Sequence, residues 1–152
     1  MTTDALLQFV KEFEGWSAKP YKCSAGKWTI GYGYNMEAHG IPAEIVRSIF
    51  DGRGIRREDA EKLLIEEVAQ CVTDARRIVP GFDTLDRPRQ YVIIDMIYNL
   101  GANGFAKFVR TITAIVAGRF DDAAKHMQAS KWYRQVGHRA KRNVRIMRTG
   151  AL

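Results

Sequence analysis

Residues 57–79 constrain this 152-residue chain more than any other stretch. Leu64, Val68, Cys71, Val72, Ala75 and Val79 recur at helical spacing along one side, and Pro80-Gly81 stops the pattern. At 1.5 Å per residue such a helix reaches roughly 34 Å, enough to connect two lobes. The sequence differs in kind on its two sides. Ahead of it, Thr2 or Thr3 can cap a first helix with Leu6, Phe9, Val10 and Phe13 on its apolar face and Gly15 at its end. The period then changes: Trp28, Ile30, Tyr32 and Tyr34 alternate with Thr29, Gly31 and Gly33, as in a strand with two bare positions. Residues 22–27 suit a hairpin or loop. From Pro42 a short helix shows Ile45, Val46, Ile49 and Phe50, and Asp51-Gly52-Arg53-Gly54 breaks it.

Beyond the long segment, residues 88–99 are apolar nearly all round, through Val92, Ile93, Ile94, Met96 and Ile97, which predicts a central buried helix closed by Gly101 and Gly104. Shorter helices are expected near 106–117, 121–129 and 138–148, with Asp121 or Asp122 and Ser130 as caps. The expected class is α+β, within a single functional domain. It comprises a small β-rich lobe over about 15–56, a connecting helix over about 57–79 and a larger helical lobe over about 80–152.

Composition excludes several classes. At 46% hydrophobic and 27% charged the chain is not of the disordered type. No apolar stretch approaches the ~20 residues needed to span a bilayer. Met1-Thr2-Thr3-Asp4-Ala5 shows no basic region before an apolar run, so the expectation is cytoplasmic work or export by some other device. Cys23 and Cys71 match neither zinc spacing nor a CxxC motif and are expected as reduced thiols. The scattered His39, His126 and His138 give no metal site, and no cofactor is expected.

The net charge of +7 is localised. Lys131, Arg134, Arg139, Lys141, Arg142, Arg145 and Arg148 follow residue 130 with no acid among them, while the preceding residues balance. Such a cluster is either a solvated helix face or faces an anion: nucleic acid, an anionic envelope polymer or a carboxylate of the protein itself. The last helix also shows Ala140, Val144 and Met147 at i, i+4, i+7, a pattern compatible with packing and with an amphipathic membrane contact.

Glu14 stands just before Gly15 at the expected C-terminal end of the first helix. A carboxylate there faces the unfavourable end of the macrodipole, and a carboxyl group that keeps its proton is what a general acid needs. On position alone a surface glutamate is the ordinary reading. Its surroundings change that: Glu14-Gly15-Trp16, Tyr21-Lys22-Cys23 and Gly26-Lys27-Trp28-Thr29-Ile30-Gly31-Tyr32-Gly33. This string resembles the signature of the phage-type lysozymes of glycoside hydrolase family 24: Glu, eight residues, Asp or Cys, five residues, Thr, then Ile-Gly-x-Gly. Tyr98-Asn99-Leu100-Gly101 resembles the end of that family's buried helix. Ser130-Lys131-Trp132-Tyr133, Arg139-Ala140-Lys141-Arg142 and Arg148-Thr149-Gly150 resemble its terminal helices.

The resemblance implies a lysozyme-like fold with a cleft between its lobes, and cleavage of the β-1,4 bond between N-acetylmuramic acid and N-acetylglucosamine in peptidoglycan. It implies Glu14 as general acid, Cys23 at the second catalytic position, and Thr29 holding the water or its neighbour. Cys23 departs from the commoner Asp. A thiol, with an ordinary pKa of about 8.5, is mostly neutral at pH 7. Lys22 and Lys27 nearby favour its thiolate, a strong nucleophile. Inversion through an activated water and retention through a covalent intermediate both stay open.

The resemblance also places Asn35, Tyr98, Thr111, His126 and Lys131 at saccharide contacts, and Arg139 as the base paired with the catalytic glutamate. It implies a monomer without an obligate protein partner, acting on peptidoglycan with the basic 131–148 region toward the anionic envelope. The implied location is the host cytoplasm, with holin-dependent release to the periplasm; a lysozyme domain of a larger virion protein is the alternative. Two other classes compete: a basic nucleic-acid-binding module, for which no motif is present, and a catalytically inactive peptidoglycan-binding module.

Overall fold

The computed structural model describes residues 2–23 and 26–152; Ser24 and Ala25, in the expected 22–27 hairpin, lie outside the described residues. The fold is α+β, with one three-stranded antiparallel sheet and helices elsewhere. It divides into two compact units, Thr2–Ala69 and Gln70–Leu152, and the boundary falls inside the long helix.

In the first unit, α1 (Asp4–Lys11) is capped by Thr3, whose side-chain oxygen accepts from the Leu6 N–H at 3.3 Å, and it buries Leu6, Leu7 and Val10. The expected continuation to Gly15 does not occur. The Glu12 N–H makes the last helical bond, to Gln8 O, and the Glu14 N–H then closes a tighter turn on Lys11 O at 2.9 Å. Phe13 is 39% exposed, so another turn would bury little apolar surface against its ordering cost.

The strand expected over 28–34 is a hairpin. Gly31 (φ +64°) and Gly33 (φ +76°) are left-handed, so these two positions turn the chain rather than thin a strand. β1 (Ser17–Lys22), β2 (Trp28–Gly31) and β3 (Tyr34–Asn35) pair in that order. Tyr21 lies opposite Thr29, and Thr29 opposite Asn35, which makes one row across the sheet. Ile30 and Tyr34, the neighbouring pair, enter the core with Ile45, Ile55, Ala60 and Leu63. Then come α2 (Met36–His39) and α3 (Ala43–Phe50), with Pro42 at the N-cap of α3. The long helix α4 (Arg57–Ile78) runs as the periodicity predicts, with Leu64, Val68, Cys71, Val72 and Ala75 all buried.

In the second unit, α5 (Arg87–Leu100) starts at Asp86, whose side chain accepts from the Arg89 N–H at 3.1 Å, with Pro88 in the first turn, and ends at left-handed Gly101. The remaining helices are α6 (Ala102–Ala106), α7 (Val109–Val116), α8 (Phe120–Gln128), α9 (Lys131–Val136) and α10 (His138–Thr149). The expected stop at Gly101–Gly104 is a short helix, α6, that buries Phe105. Asp121 and Asp122 lie in the first turn of α8, where the macrodipole favours acids, while Arg119 holds the N-cap. Ser130 is a cap as expected, accepting from the Tyr133 N–H at 3.2 Å, but the helix that it caps, α9, is not among those expected. α8 packs against α7 and α10, and α10 against α5.

One charge sits at the centre of that packing. Asp95, on the buried helix α5, has no exposed surface. It accepts from Arg139 Nε and Nη2 at 3.0 and 2.7 Å and from Asn143 Nδ2 at 2.8 Å, and Arg142 Nη2 lies 3.1 Å away. Ala140, Val144 and Met147 on α10 are buried as well, so its apolar face is spent on the core and is not available to a membrane. Replacing Asp95 by Ala leaves two inward guanidinium groups without their shared carboxylate. That substitution is expected to cost about 3–5 kcal/mol of unfolding free energy, read from urea unfolding curves.

Candidate active site

The first unit holds Glu14, Cys23, Thr29 and Asn35. Glu14 lies three residues past the end of α1, not in its last turn, so its placement comes from other contacts. One of them is with Gly33. A Cβ built on Gly33 would stand 2.8 Å from Glu14 Cδ and would collide with Oε2. The carboxylate therefore rests directly on the backbone of the β2–β3 turn, at a position that also requires left-handed φ. Glycine is demanded there twice, by space and by conformation.

Tyr21 joins the group through the sheet. Burial raises its phenol above the ordinary 10.0, and the negative charges of Glu14 and of a Cys23 thiolate raise it further. Thr29, opposite Tyr21, is 4% exposed, and its hydroxyl donates to Lys27 O at 2.9 Å. With its proton spent on the hairpin, Thr29 Oγ1 keeps lone pairs as an acceptor. The Cys23 N–H is also tied to Lys27 O, at 2.9 Å, and the Gly26 N–H to Cys23 O at 2.8 Å. Cys23 is a half-buried thiol and Cys71 a buried one. Lys22, expected to serve the Cys23 thiolate, is engaged elsewhere: its ammonium lies 5.4 Å from the Trp28 ring centroid. Asn35 completes the row, and its Oδ1 accepts from the Glu37 N–H at 3.0 Å, capping α2.

The second unit holds Tyr98, Thr111, His126, Lys131 and Arg139. Thr111 and His126 come together in an open pocket of about 480 Å³, lined also by Lys107, Phe108, Arg110 and Ser130. Lys131 follows Ser130 and is exposed. Phe108 was not singled out from sequence; it meets Trp132 edge-on at 6.0 Å, and Trp132 Nε1 donates to Asn99 Oδ1 at 2.8 Å. Tyr98 is half-buried near the end of α5. Arg139 is gripped by Asp95, a residue also missed. A lone acid in an otherwise apolar helix was its only signal. Lys131, Arg134, Lys141, Arg145 and Arg148 remain exposed, whereas Arg139 and Arg142 turn inward.

The family model described as phage lysozyme matches residues 11–146, and the chain belongs to the phage lysozyme family. It is 28% identical, over 97% of its length, to the pre-baseplate central spike protein of Enterobacteria phage T4, of which it spans only 28%. It is 25% identical to a probable T4-type lysozyme of Dictyostelium discoideum, covering 97% of this chain and 96% of that one. It is also 30% identical, over 65% of its length and 59% of the relative's, to an endolysin of Acyrthosiphon pisum secondary endosymbiont phage 1.

Gly33→Ala is expected to displace the Glu14 carboxylate and lower peptidoglycan-hydrolase activity by about 10²-fold in a protein that still folds, as checked by circular dichroism. In a phenolate titration followed by ultraviolet absorbance, Tyr21, half-buried, and Tyr34, buried, both near acids, ionise above 10.0. Each binds its proton more tightly folded than unfolded. Its contribution to stability is therefore complete below pH 10.0 and is lost as pH rises through the folded value. Glu14→Gln removes one of the negative charges at Tyr21 and brings that phenol closer to 10.0.

Proposed function

We propose that the protein is a peptidoglycan hydrolase that cleaves the β-1,4 bond between N-acetylmuramic acid and N-acetylglucosamine, with Glu14 as the general acid. The observation that supports this reading is the Glu14 carboxylate against Gly33, with its charge felt by Tyr21, which also feels Cys23 and lies opposite Thr29 in the sheet. Membership of the phage lysozyme family supports it.

In this reading Glu14 gives its proton to the leaving glycosidic oxygen as the sugar takes on oxocarbenium character. Thr29 Oγ1 accepts a hydrogen bond from a water and leaves that water's lone pair for the sugar carbon. The proton that the water sheds on attack passes to a Cys23 thiolate. Asn35, Tyr98, Thr111, His126 and Lys131 contact the saccharide. The exposed cations over 131–148 favour encounter with the anionic envelope, and the protein works as a monomer without cofactor. It is made in the host cytoplasm and reaches periplasmic peptidoglycan after holin-dependent release. The alternative, a lysozyme domain of a virion protein, draws on the likeness to the phage T4 spike protein.

The test is turbidity clearing of permeabilised Gram-negative cells. Glu14→Gln is expected to lower the rate by about 10³-fold and Cys23→Ala by about 10²-fold. A Cys23→Ala variant that clears like wild type reduces Cys23 to a spacer. A Glu14→Gln variant that does so removes the acid and the function built on it.

A further inference from the structure

The glycine beneath Glu14 is itself held in place. Tyr32, in the same turn, is engaged from two sides: Lys11 Nζ lies 4.5 Å from its ring centroid, and Arg57 Nη1 donates to its hydroxyl at 3.2 Å. Arg57 also covers Trp16, with its guanidinium carbon 4.4 Å from the indole ring, and the Trp16 and Tyr32 rings meet at 5.1 Å. Lys11 is fixed in turn by Glu61, whose two carboxylate oxygens lie 3.1 and 3.0 Å from its ammonium.

These residues surround the acid along the chain. Lys11 precedes it and accepts the Glu14 N–H on its carbonyl; Trp16 follows it; Tyr32 adjoins the glycine on which the carboxylate rests. Arg57 and Glu61 are one turn apart on α4. The backbone before, after and beneath Glu14 is thus tied to the start of one rigid helix. Cation–π contacts and a phenol hydrogen bond are directional, so they set position as well as proximity. Tyr32 is partly buried and packs against the unit's core.

We propose that Tyr32, with Arg57, Trp16 and Lys11, is a positioning clamp that sets where the Glu14 carboxyl stands without touching substrate. The clamp rests on the reading of Glu14 as general acid. If it operates, loosening it lowers turnover and leaves substrate affinity alone.

The experiment measures release of new reducing ends from purified peptidoglycan, well below each variant's Tm, for Tyr32→Ala, Tyr32→Phe, Arg57→Gln, Arg57→Lys and Glu14→Gln. Tyr32→Ala is expected to lower kcat by about 10- to 100-fold with KM within about twofold of wild type. Tyr32→Phe, which keeps the ring, and Arg57→Lys, which keeps charge and donor, recover most of the turnover lost in Tyr32→Ala and Arg57→Gln. Wild-type kcat in Tyr32→Ala, or a loss confined to KM, overturns the clamp while an inactive Glu14→Gln leaves the acid assignment standing. Wild-type activity in Glu14→Gln overturns both.

Discussion

The close approach of the Glu14 carboxylate to the backbone at Gly33, which leaves no room for a side chain there, is the constraint on which the candidate site depends. A carboxylate set against bare backbone has few ways to move, and that limitation gives the side chain a defined position without a rigid helix under it. The contact exists because β2 and β3 are joined by a turn with two left-handed glycines rather than running on as one strand. The same turn sets the register that puts Asn35 opposite Thr29 and sends Ile30 and Tyr34 to the core. Because side chains alternate across a sheet, slipping that register by one residue would exchange the chemical row for the apolar one. Site and core of the first unit are therefore specified by the same hydrogen bonds.

The second unit meets a different demand. Its basic terminal segment must place seven cations on and beyond a helix that also has to pack. Asp95 resolves part of that conflict by drawing Arg139 and Arg142 inward with Asn143. A carboxylate without solvent contact is tolerated only when its lone pairs are satisfied, and here three side chains converge on it. The excess positive charge thereby splits into an internal part that orients α10 and an external part left on the surface.

Legibility in the sequence follows the range of the interaction responsible. The ends of α4, the buried character of α5 and the Ser130 cap were readable because each rests on local periodicity or a local hydrogen bond. The early end of α1 was not, since Phe13 fits the apolar spacing and only its exposure reveals that no core lies beside it. Gly31 and Gly33 fit a thin strand and a turn equally well until the pairing partner of Thr29 is known. Glu14, Cys23 and Thr29 were recognisable as a spaced motif, but neither the support of Glu14 by Gly33 nor the diversion of Lys22 to Trp28 has a sequence signature. The grip of Asp95 on Arg139 spans 44 residues, and long-range ion pairs leave no local pattern.

The most direct test of the central claim is the chemical identity of the reducing ends produced when the intact protein digests purified peptidoglycan, determined by mass spectrometry of the muropeptides after borohydride reduction. The account predicts muropeptides that end in reduced N-acetylmuramic acid. Reduced N-acetylglucosamine at the new ends, or products cut only within the stem peptides, would contradict it.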